Sequence, residues 1–478
     1  MRTRTWKWYL ACVGLGLGAA SAGCGSSDGP SISLNRPAGE GDVDPLPETP
    51  PGEAPVPPNP PADPGEPAPP LPPPTTPAVA VAKPTYPNCP TAVATAQPAG
   101  AEVPPPTSGW TFVGGRLSSA DGLGTGSEAP AVVLDTAGRP VVAWLETTLT
   151  GATLFVRRWN GTAYENLGPG LRAFGEVFGT RAGAPSLTLD GTGLPVVAWS
   201  EDISGGSVRI AACAWDGTVW KALGSAVSFY PSPTPTRAES AAIRTLRDGT
   251  AIIAWSEKGA SQPSFDLFVA RWTGVEWQYL GTPLSAVPAP AGMVGSDARR
   301  PALAVDRSGM PTIAWEEDTP GTAGTATYAA RWNGSTWVGL GTLGAGGVPA
   351  IALDNRENPV VARVQGVVSV SQWNGSAWEA VDKPTTGPES SPALASDGRG
   401  GLTLAFLSGG SVTVLQRERR GAWRSSGSGI NAVPGNTQVL SVNVAVNEAG
   451  RGAVAFSEQS AEPGLFGTPT DVFTAVSP

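Results

Sequence analysis

Between Pro301 and Gly341 four short apolar segments alternate with turn-forming residues. PALAV alternates small and apolar residues, PTIAW is a continuous apolar run, and TYAARW and TWVGLG follow it. Such short runs, bounded by turns, are typical of β-strands. The intervening DRSGMP is rich in turn formers, and Asn333-Gly334 favours a type I′ hairpin. We therefore predict four antiparallel strands joined by local connections.

This pattern recurs along the chain at steps of about 43 to 60 residues, a period typical of propellers and solenoids. The position of Trp315 recurs at Trp144, Trp199, Trp255, Arg363, Phe406 and Phe456. The position of Trp332 recurs at Trp159, Trp215, Trp272, Trp373 and Arg419. The position of Trp337 recurs at Tyr164, Trp220, Trp277, Trp378 and Trp423. Seven copies of one four-stranded unit are therefore expected.

The last copy lacks its fourth strand, because the chain runs out at DVFTAVSP. One segment of the fourth-strand type is spare, Trp110–Gly115, and it precedes the first copy. A ring explains both facts if this segment pairs beside Asp471–Val476 and so removes the open sheet edges. We predict an all-β fold, a seven-bladed β-propeller over residues 109–478 that is closed by its N-terminal strand.

Composition excludes several kinds of chemistry. The chain of 478 residues carries a net charge of −9 and contains no histidine. The acidic balance argues against a nucleic-acid partner, and the absence of histidine removes Ser-His-Asp sites and His-ligated metals. No cofactor motif is present. Calcium stays open, because carboxylates and carbonyls bind it without a recognisable pattern.

The N-terminus predicts export. Residues 1–23 have a basic start, an apolar middle and small residues before Cys24, as in a signal peptide. Ser21-Ala22-Gly23-Cys24 resembles a bacterial lipobox, which implies a lipid on Cys24 and, with Gly25 following, an outer-membrane or cell-surface location. The alternative is an ordinary signal peptide cut near Ala22.

Residues 24–108 are proline-rich and poor in large apolar side chains, so we predict a disordered stalk. A linker without a length requirement is an equal alternative. Cys89 lies towards the C-terminal end of this stretch, and Cys213 lies in a predicted third strand. In an exported protein the two cysteines could form a disulfide, or Cys213 could be a small core residue and Cys89 free.

Loop lengths predict two different faces. Turns such as DRSGMP at 306–311 and WNG at 332–334 are short and uniform, and we call their side the regular face. Connections such as EDTPGTAGTA at 317–326 vary, and we call their side the variable face. Function usually sits on variable loops of a rigid scaffold. The tryptophans outside the signal all occupy repeat positions, so we interpret them as packing residues between blades.

A set of acidic residues is predicted at the variable rim, two positions after the second-strand aromatic residue: Glu146, Glu201, Glu257, Glu317 and Glu458. Two hypotheses remain. The glutamates attract cations or a basic ligand, or they pair with arginines near the first-strand starts, which are Arg181, Arg237, Arg299 and Arg300. The second is the simpler interpretation.

The turn text W-N-G-x-x-W resembles the Asp-box of sialidase-type propellers, although Asp occurs in it only at Asp216. Those enzymes use three arginines, a Tyr–Glu pair and an acidic proton donor, and no such set repeats here. The turns are also similar to those of bangle-type lectin propellers, a likeness that covers the architecture from Trp110 to Val476. No catalytic or metal-binding set is identified.

From these observations we expect a non-catalytic, lipid-anchored propeller of the bacterial envelope that serves as a protein-interaction platform. A glycan-binding module is the alternative, and a glycosidase-like or sialidase-like enzyme is a weaker one. The expected partners are an envelope protein or a glycan, and the membrane through the lipid. A carboxylate pair on the variable face would favour the enzyme.

Overall fold

The computed structural model describes residues 87–91, 102–118, 126–148, 151–174, 182–203, 206–230, 235–287, 295–318, 324–384, 387–419, 421–433, 438–459 and 470–477. All of them lie within one compact unit of the chain, Ala80–Pro478. None of these residues is helical. The predicted signal peptide and Cys24 lie outside the described residues.

The described strands form five four-stranded antiparallel sheets and one eight-stranded sheet, in which two four-stranded units are joined by a single parallel pair, Arg237 with Val208. The resulting seven units are numbered here in chain order. Unit 1 comprises β2 (Ser127–Leu134), β3 (Pro140–Thr148), β4 (Gly151–Trp159) and β5 (Tyr164–Asn166). Unit 2 comprises β6 (Ser186–Leu189), β7 (Pro195–Ile203), β8 (Ser207–Trp215) and β9 (Trp220–Ala222). Unit 3 comprises β10 (Thr236–Thr245), β11 (Ala251–Gly259), β12 (Asp266–Trp272) and β13 (Trp277–Tyr279). Unit 4 comprises β14 (Ala298–Val305), β15 (Pro311–Asp318), β16 (Thr325–Trp332) and β17 (Trp337–Ala345).

The remaining units have the same order. Unit 5 comprises β18 (Gly347–Leu353), β19 (Pro359–Gln365), β20 (Val367–Trp373) and β21 (Trp378–Val381). Unit 6 comprises β22 (Glu389–Ser396), β23 (Leu402–Ser408), β24 (Ser411–Arg417) and β25 (Trp423–Ile430). Unit 7 comprises β26 (Val439–Val446), β27 (Gly452–Gln459), β28 (Thr470–Val476) and the N-terminal β1 (Thr111–Phe112).

The N-terminal strand lies against the C-terminal one. Thr111 pairs with Val476 and Phe112 with Ala475 in antiparallel register. The backbone amide of Val113 continues the pairing by donating to the carbonyl of Thr474 at 2.9 Å. The spare segment therefore meets the partner strand that the sequence indicated.

The first strands of the units contact one another in sequence, from β2 and β6 through to β22 and β26, and β26 contacts β2. All seven first strands line one cavity of about 690 Å³. The first strand of each unit therefore faces this central cavity, and the other strands of the unit lie further from it. The coarse prediction, an all-β fold of four-stranded antiparallel sheets of the propeller type, is confirmed.

Tryptophan holds neighbouring units together. Four indole N–H groups each donate, at 2.6–2.9 Å, to a leucine carbonyl in the preceding unit: Trp220 to Leu167, Trp277 to Leu223, Trp337 to Leu280 and Trp378 to Leu340. The indoles across each third-to-fourth-strand turn also touch, with centroids 5.3 Å apart for Trp272 and Trp277. Gly224 lies directly beneath this pair with φ +77°, and a Cβ atom there would be 2.9 Å from the Trp272 ring.

A short segment inside the range predicted as stalk adds to the outer edge of unit 2. The amide of Cys89 donates to the carbonyl of Trp220 at 2.8 Å, and the amide of Ala222 donates to the carbonyl of Pro87 at 2.9 Å. A disulfide joins Cys89 to Cys213, with the two Cα atoms 6.2 Å apart. Of the two alternatives for these cysteines, the structure has the disulfide and not a free Cys89. Residues 87–91 differ from the disordered stalk predicted for residues 24–108, because they pair with the backbone of unit 2.

Truncation of Trp110 tests the role of the N-terminal strand. Its side chain is fully buried, and its indole donates to the carbonyl of Ser426 in unit 6 at 2.9 Å. We expect Trp110→Ala to lower the free energy of unfolding by about 3–5 kcal/mol, because a large cavity and an unpaired carbonyl remain. Denaturant titration measures this. Val275→Ala, at a position 80% exposed, is the control and should change stability by less than about 0.5 kcal/mol.

Candidate functional site

The five glutamates predicted at the variable rim are buried, with exposures between 0% and 2%. The prediction of an exposed acidic rim is therefore wrong. The reason is strand geometry: residues two apart on a strand face the same side. Each of these glutamates follows a buried aromatic residue by two positions, so it lies on the same side of its strand and is buried with that residue: Glu146, Glu201, Glu257, Glu317 and Glu458.

Inside, these glutamates fix the connections between units. The Glu317 carboxylate accepts hydrogen bonds from the Trp315 indole at 2.7 Å and from the amides of Ala286 and Val287 at 2.8 and 3.0 Å. The hydroxyls of Ser285 and Ser296 also donate to it. Glu317 thus collects five donors from its own strand and from the segment that enters unit 4.

The same arrangement occurs in other units. Glu201 accepts from the Trp199 indole and from the amides of Ala173 and Phe174. Burial raises the pKa of Glu201 above its ordinary value, although these hydrogen bonds oppose the shift. Glu458 accepts from the amide of Val433 at 3.0 Å. The repeated glutamate is a structural residue that satisfies loop amides.

The arginines predicted to pair with these glutamates have other partners. Arg237 lies 3.2 Å from Glu239, and Arg300 lies 2.6 Å from Glu316. Arg299 contacts two carboxylates, Asp297 at 2.8 Å and Glu239 at 3.0 Å. Arg181 lies outside the described residues. Together with Asp318 these side chains form what we call the charged cluster, comprising Arg237, Glu239, Asp297, Arg299, Arg300, Glu316 and Asp318.

The charged cluster lies where units 3 and 4 meet at the variable face. Asp297 immediately precedes β14 and Asp318 ends β15, and the amide of Asp318 approaches the carbonyl of Asp297 at 3.4 Å. The Arg299 guanidinium stacks on Phe265, with its Cζ atom 3.7 Å from the ring centroid. The amide of Phe265 also donates to Asp297 at 2.9 Å. The aromatic ring and the carboxylate together fix the position of the arginine.

The two aspartates have opposite pKa shifts. Burial acts to raise the pKa of Asp297, but hydrogen bonds from Arg299 and the amide of Phe265 prevail and lower it. The pKa of Asp318 is raised, first by partial desolvation of this largely exposed side chain and then by repulsion from Asp297, against the attraction of Arg299. One carboxylate is therefore held ionised beside another that is biased towards its protonated form. Two neighbouring carboxyls whose surroundings push their pKa values apart are the arrangement from which acid–base pairs are built.

Sequence reasoning did not select Asp297 and Asp318. The run Glu316-Glu317-Asp318 was available as a signal, since alternate residues of a strand point to opposite sides and Glu317 points inward. Asp297 lies two residues before Arg299, outside the repeated text. Only the approach of two strand ends brings these aspartates together.

The described part of the chain holds no group of three or more His, Cys, Asp or Glu side chains arranged to bind a metal ion. Within the same residues, no helix has the length and apolar character needed to cross a membrane.

No family model and no curated relative matches the sequence. Several solved structures are similar. The α-L-arabinanase of Penicillium chrysogenum is 13% identical, with 80% of this chain and 98% of that one covered and a TM-score of 0.43. A polysaccharide lyase, an ulvan lyase, is 10% identical, with 73% and 94% covered and a TM-score of 0.47. The Trypanosoma rangeli sialidase is 12% identical, with 66% and 56% covered and a TM-score of 0.42.

These structures correct the function expected from the sequence. The similar proteins are carbohydrate-active enzymes, whereas the sequence led us to expect a non-catalytic protein-interaction platform. That expectation, and with it the assignment of the chain as a non-enzyme, is contradicted. At such low identity the likeness concerns the fold alone, and the substrates of these enzymes are not carried over.

Replacement of Glu317 tests the structural role of the buried glutamates. Glu317→Ala should lower the free energy of unfolding by about 3 kcal/mol or more, because several buried donors lose their acceptor. Glu276→Ala, in the short turn before β13, is the control. Thermal or denaturant unfolding measures the difference. Equal stability of the two variants would contradict the assigned role of Glu317.

Proposed function

We propose that this chain is a glycoside hydrolase and that the charged cluster is its active site. The observation that carries the proposal is the pair formed by Asp297 and Asp318, whose pKa values are shifted in opposite directions beside Arg299. Most glycoside hydrolases cleave the glycosidic bond with a pair of carboxyl groups in one site, one acting as the acid and the other as a carboxylate. This pair supplies both.

In the proposed mechanism Asp318 is the general acid. It is exposed on the variable face, so a glycan can reach it from solvent. Its raised pKa favours the protonated form more than in an ordinary aspartate, and in this mechanism that proton passes to the glycosidic oxygen as the bond to the anomeric carbon breaks. Asp297 stays ionised and faces the positive charge that develops on the sugar, either attacking the anomeric carbon or activating a water molecule.

The arginines set the charge of the site. Arg299 keeps Asp297 ionised through its hydrogen bonds and is itself fixed by Phe265 and Glu239. Arg237 and Arg300 are more accessible, with side chains 64% and 58% exposed. Their guanidinium groups are placed to donate hydrogen bonds to sugar hydroxyls or to an acidic sugar.

We also propose that the seven units close into one seven-bladed ring. The pairing of β1 with β28 and the contact between β26 and β2 support this arrangement. In such a ring the charged cluster lies at the seam of two blades, at the variable end of the central channel. We further propose, from residues 1–24 alone, that the chain is exported and anchored through Cys24.

Substitution of the two aspartates tests the proposed chemistry. Asp318→Asn and Asp297→Asn should each reduce glycan cleavage by about 100-fold to 10,000-fold, because each removes one half of the acid–base pair. The assay follows release of reducing ends from a panel of neutral and uronic-acid polysaccharides by the full chain. Asp202→Asn is the matched control, since Asp202 follows Trp199 by three positions as Asp318 follows Trp315.

The pH profile gives a second, independent result. Activity should fall as the pH drops below the lowered pKa of Asp297, which then becomes protonated. It should also fall as the pH rises above the raised pKa of Asp318, which then loses its proton. Binding of a glycan without turnover at any pH would contradict the enzyme and leave a lectin-like module.

A further inference from the structure

Arg244 occupies a position of the repeat that is otherwise small or aliphatic. It pairs with the second residue of the second strand, in register with Ile252. The equivalent first-strand residues in the other units are Val133, Thr188, Ala304, Ala352, Ala395 and Ala445. All seven line the same central cavity. One arginine therefore stands in a ring of side chains that leave space around it.

The Arg244 side chain has few partners. In the described part of the chain its guanidinium makes one hydrogen bond, from Nη1 to the carbonyl of the adjacent Ile243 at 2.8 Å, and no salt bridge. Nε and Nη2 thus have donor capacity to spare. Burial lowers the pKa of Arg244, and no carboxylate acts against that shift. A partly buried arginine without a carboxylate partner is well placed to pair with an anion.

The carboxylates that line the cavity already have donors of their own. Asp306 accepts the amides of Ser308 and Met310 at 2.9 Å. Asp354 accepts the amides of Arg356 and Asn358 in the same way. These acids lie in the turns of the regular face, where they cap the backbone.

The third acid of the lining, Glu357, accepts the amide of Arg307 at 3.0 Å. Arg307 also reaches the carbonyl of Gly398 in unit 6 at 3.1 Å, across the mouth of the cavity. Arg247 and Arg399 lie nearby, where both approach Glu448 at 3.6 and 3.7 Å. These three arginines of the regular-face mouth each pair with a carboxylate, Arg307 with Glu357 and both Arg247 and Arg399 with Glu448, whereas Arg244 has no such partner among the described residues.

We propose that the central cavity binds a small oxyanion at Arg244, through a carboxylate, phosphate or sulfate group that enters from the regular face. The free guanidinium N–H groups suit two oxygen atoms of one anionic group. The surrounding alanine, valine and threonine side chains leave room for it. This site is distinct from the charged cluster: Arg244 is seven residues beyond Arg237 on β10, or roughly 20 Å along the strand.

Calorimetric titration of the full chain with inorganic phosphate, sulfate and acetate, at constant ionic strength, tests the proposal. Wild type should bind at least one of these anions, and Arg244→Gln should weaken that binding by about tenfold or more, because charge-assisted hydrogen bonds are lost. Arg247→Gln, at a regular-face side chain 96% exposed, is the matched control and should bind nearly as wild type does. Which probe binds best distinguishes a planar carboxylate from a tetrahedral oxyanion.

Thermal unfolding of a second variant tests the proposal even if Arg244→Gln does not fold. Arg244→Met should raise the unfolding midpoint in anion-free buffer and abolish the stabilisation that the anion gives to wild type. Three results would overturn the proposal. They are the absence of binding to wild type, equal loss of affinity in the Arg244 and Arg247 variants, or a lower midpoint for Arg244→Met in anion-free buffer.

Discussion

The structure depends on a hydrogen bond that crosses between repeats, from a tryptophan indole to a leucine carbonyl of the preceding unit. Each of these leucines is followed by a glycine with positive φ. In units 1 to 3 that glycine lies against the two aromatic rings of the next unit, as Gly224 lies against Trp272 and Trp277. The bond is worth on the order of 1 kcal/mol, but the aromatic surface buried around it contributes more. Repetition of this joint at four successive seams, from units 1 and 2 to units 4 and 5, specifies how these sheets sit on their neighbours.

The second constraint is the two-residue period of the second strand. A buried tryptophan and the glutamate two positions later share one side, so the acid is carried into the interior and must find donors there. The glutamate accepts hydrogen bonds from the segment that enters its unit, and these bonds fix that segment to the sheet. Residues on the other side of the strand are left free to vary. The charged cluster forms at such residues, where units 3 and 4 depart from the common text.

The repeat period, the spare N-terminal segment and the packing role of tryptophan are all readable from the sequence, because each follows from local text that recurs. The prediction of an acidic rim is wrong because residues two apart on a strand face the same side. The glutamates therefore share the buried side of the aromatic residue that precedes them. The Asp297–Asp318 pair was out of reach, since these residues lie at two strand ends and outside the repeated positions. Arg244 could have been found from the sequence. When the repeats are aligned on the turn between the first and second strands, it is the one charged residue at a position otherwise occupied by Val133, Thr188 and four alanines.

The disulfide between Cys89 and Cys213 has a mechanical consequence. It attaches the chain to unit 2, more than twenty residues before β1 begins. Tension on residues upstream of Pro87 is carried through the sulfur bridge into β8, an interior strand of a complete sheet. It does not peel away β1, which is held in the ladder by only two residue pairs. The N-terminal strand is thereby shielded from a pull applied upstream of the disulfide.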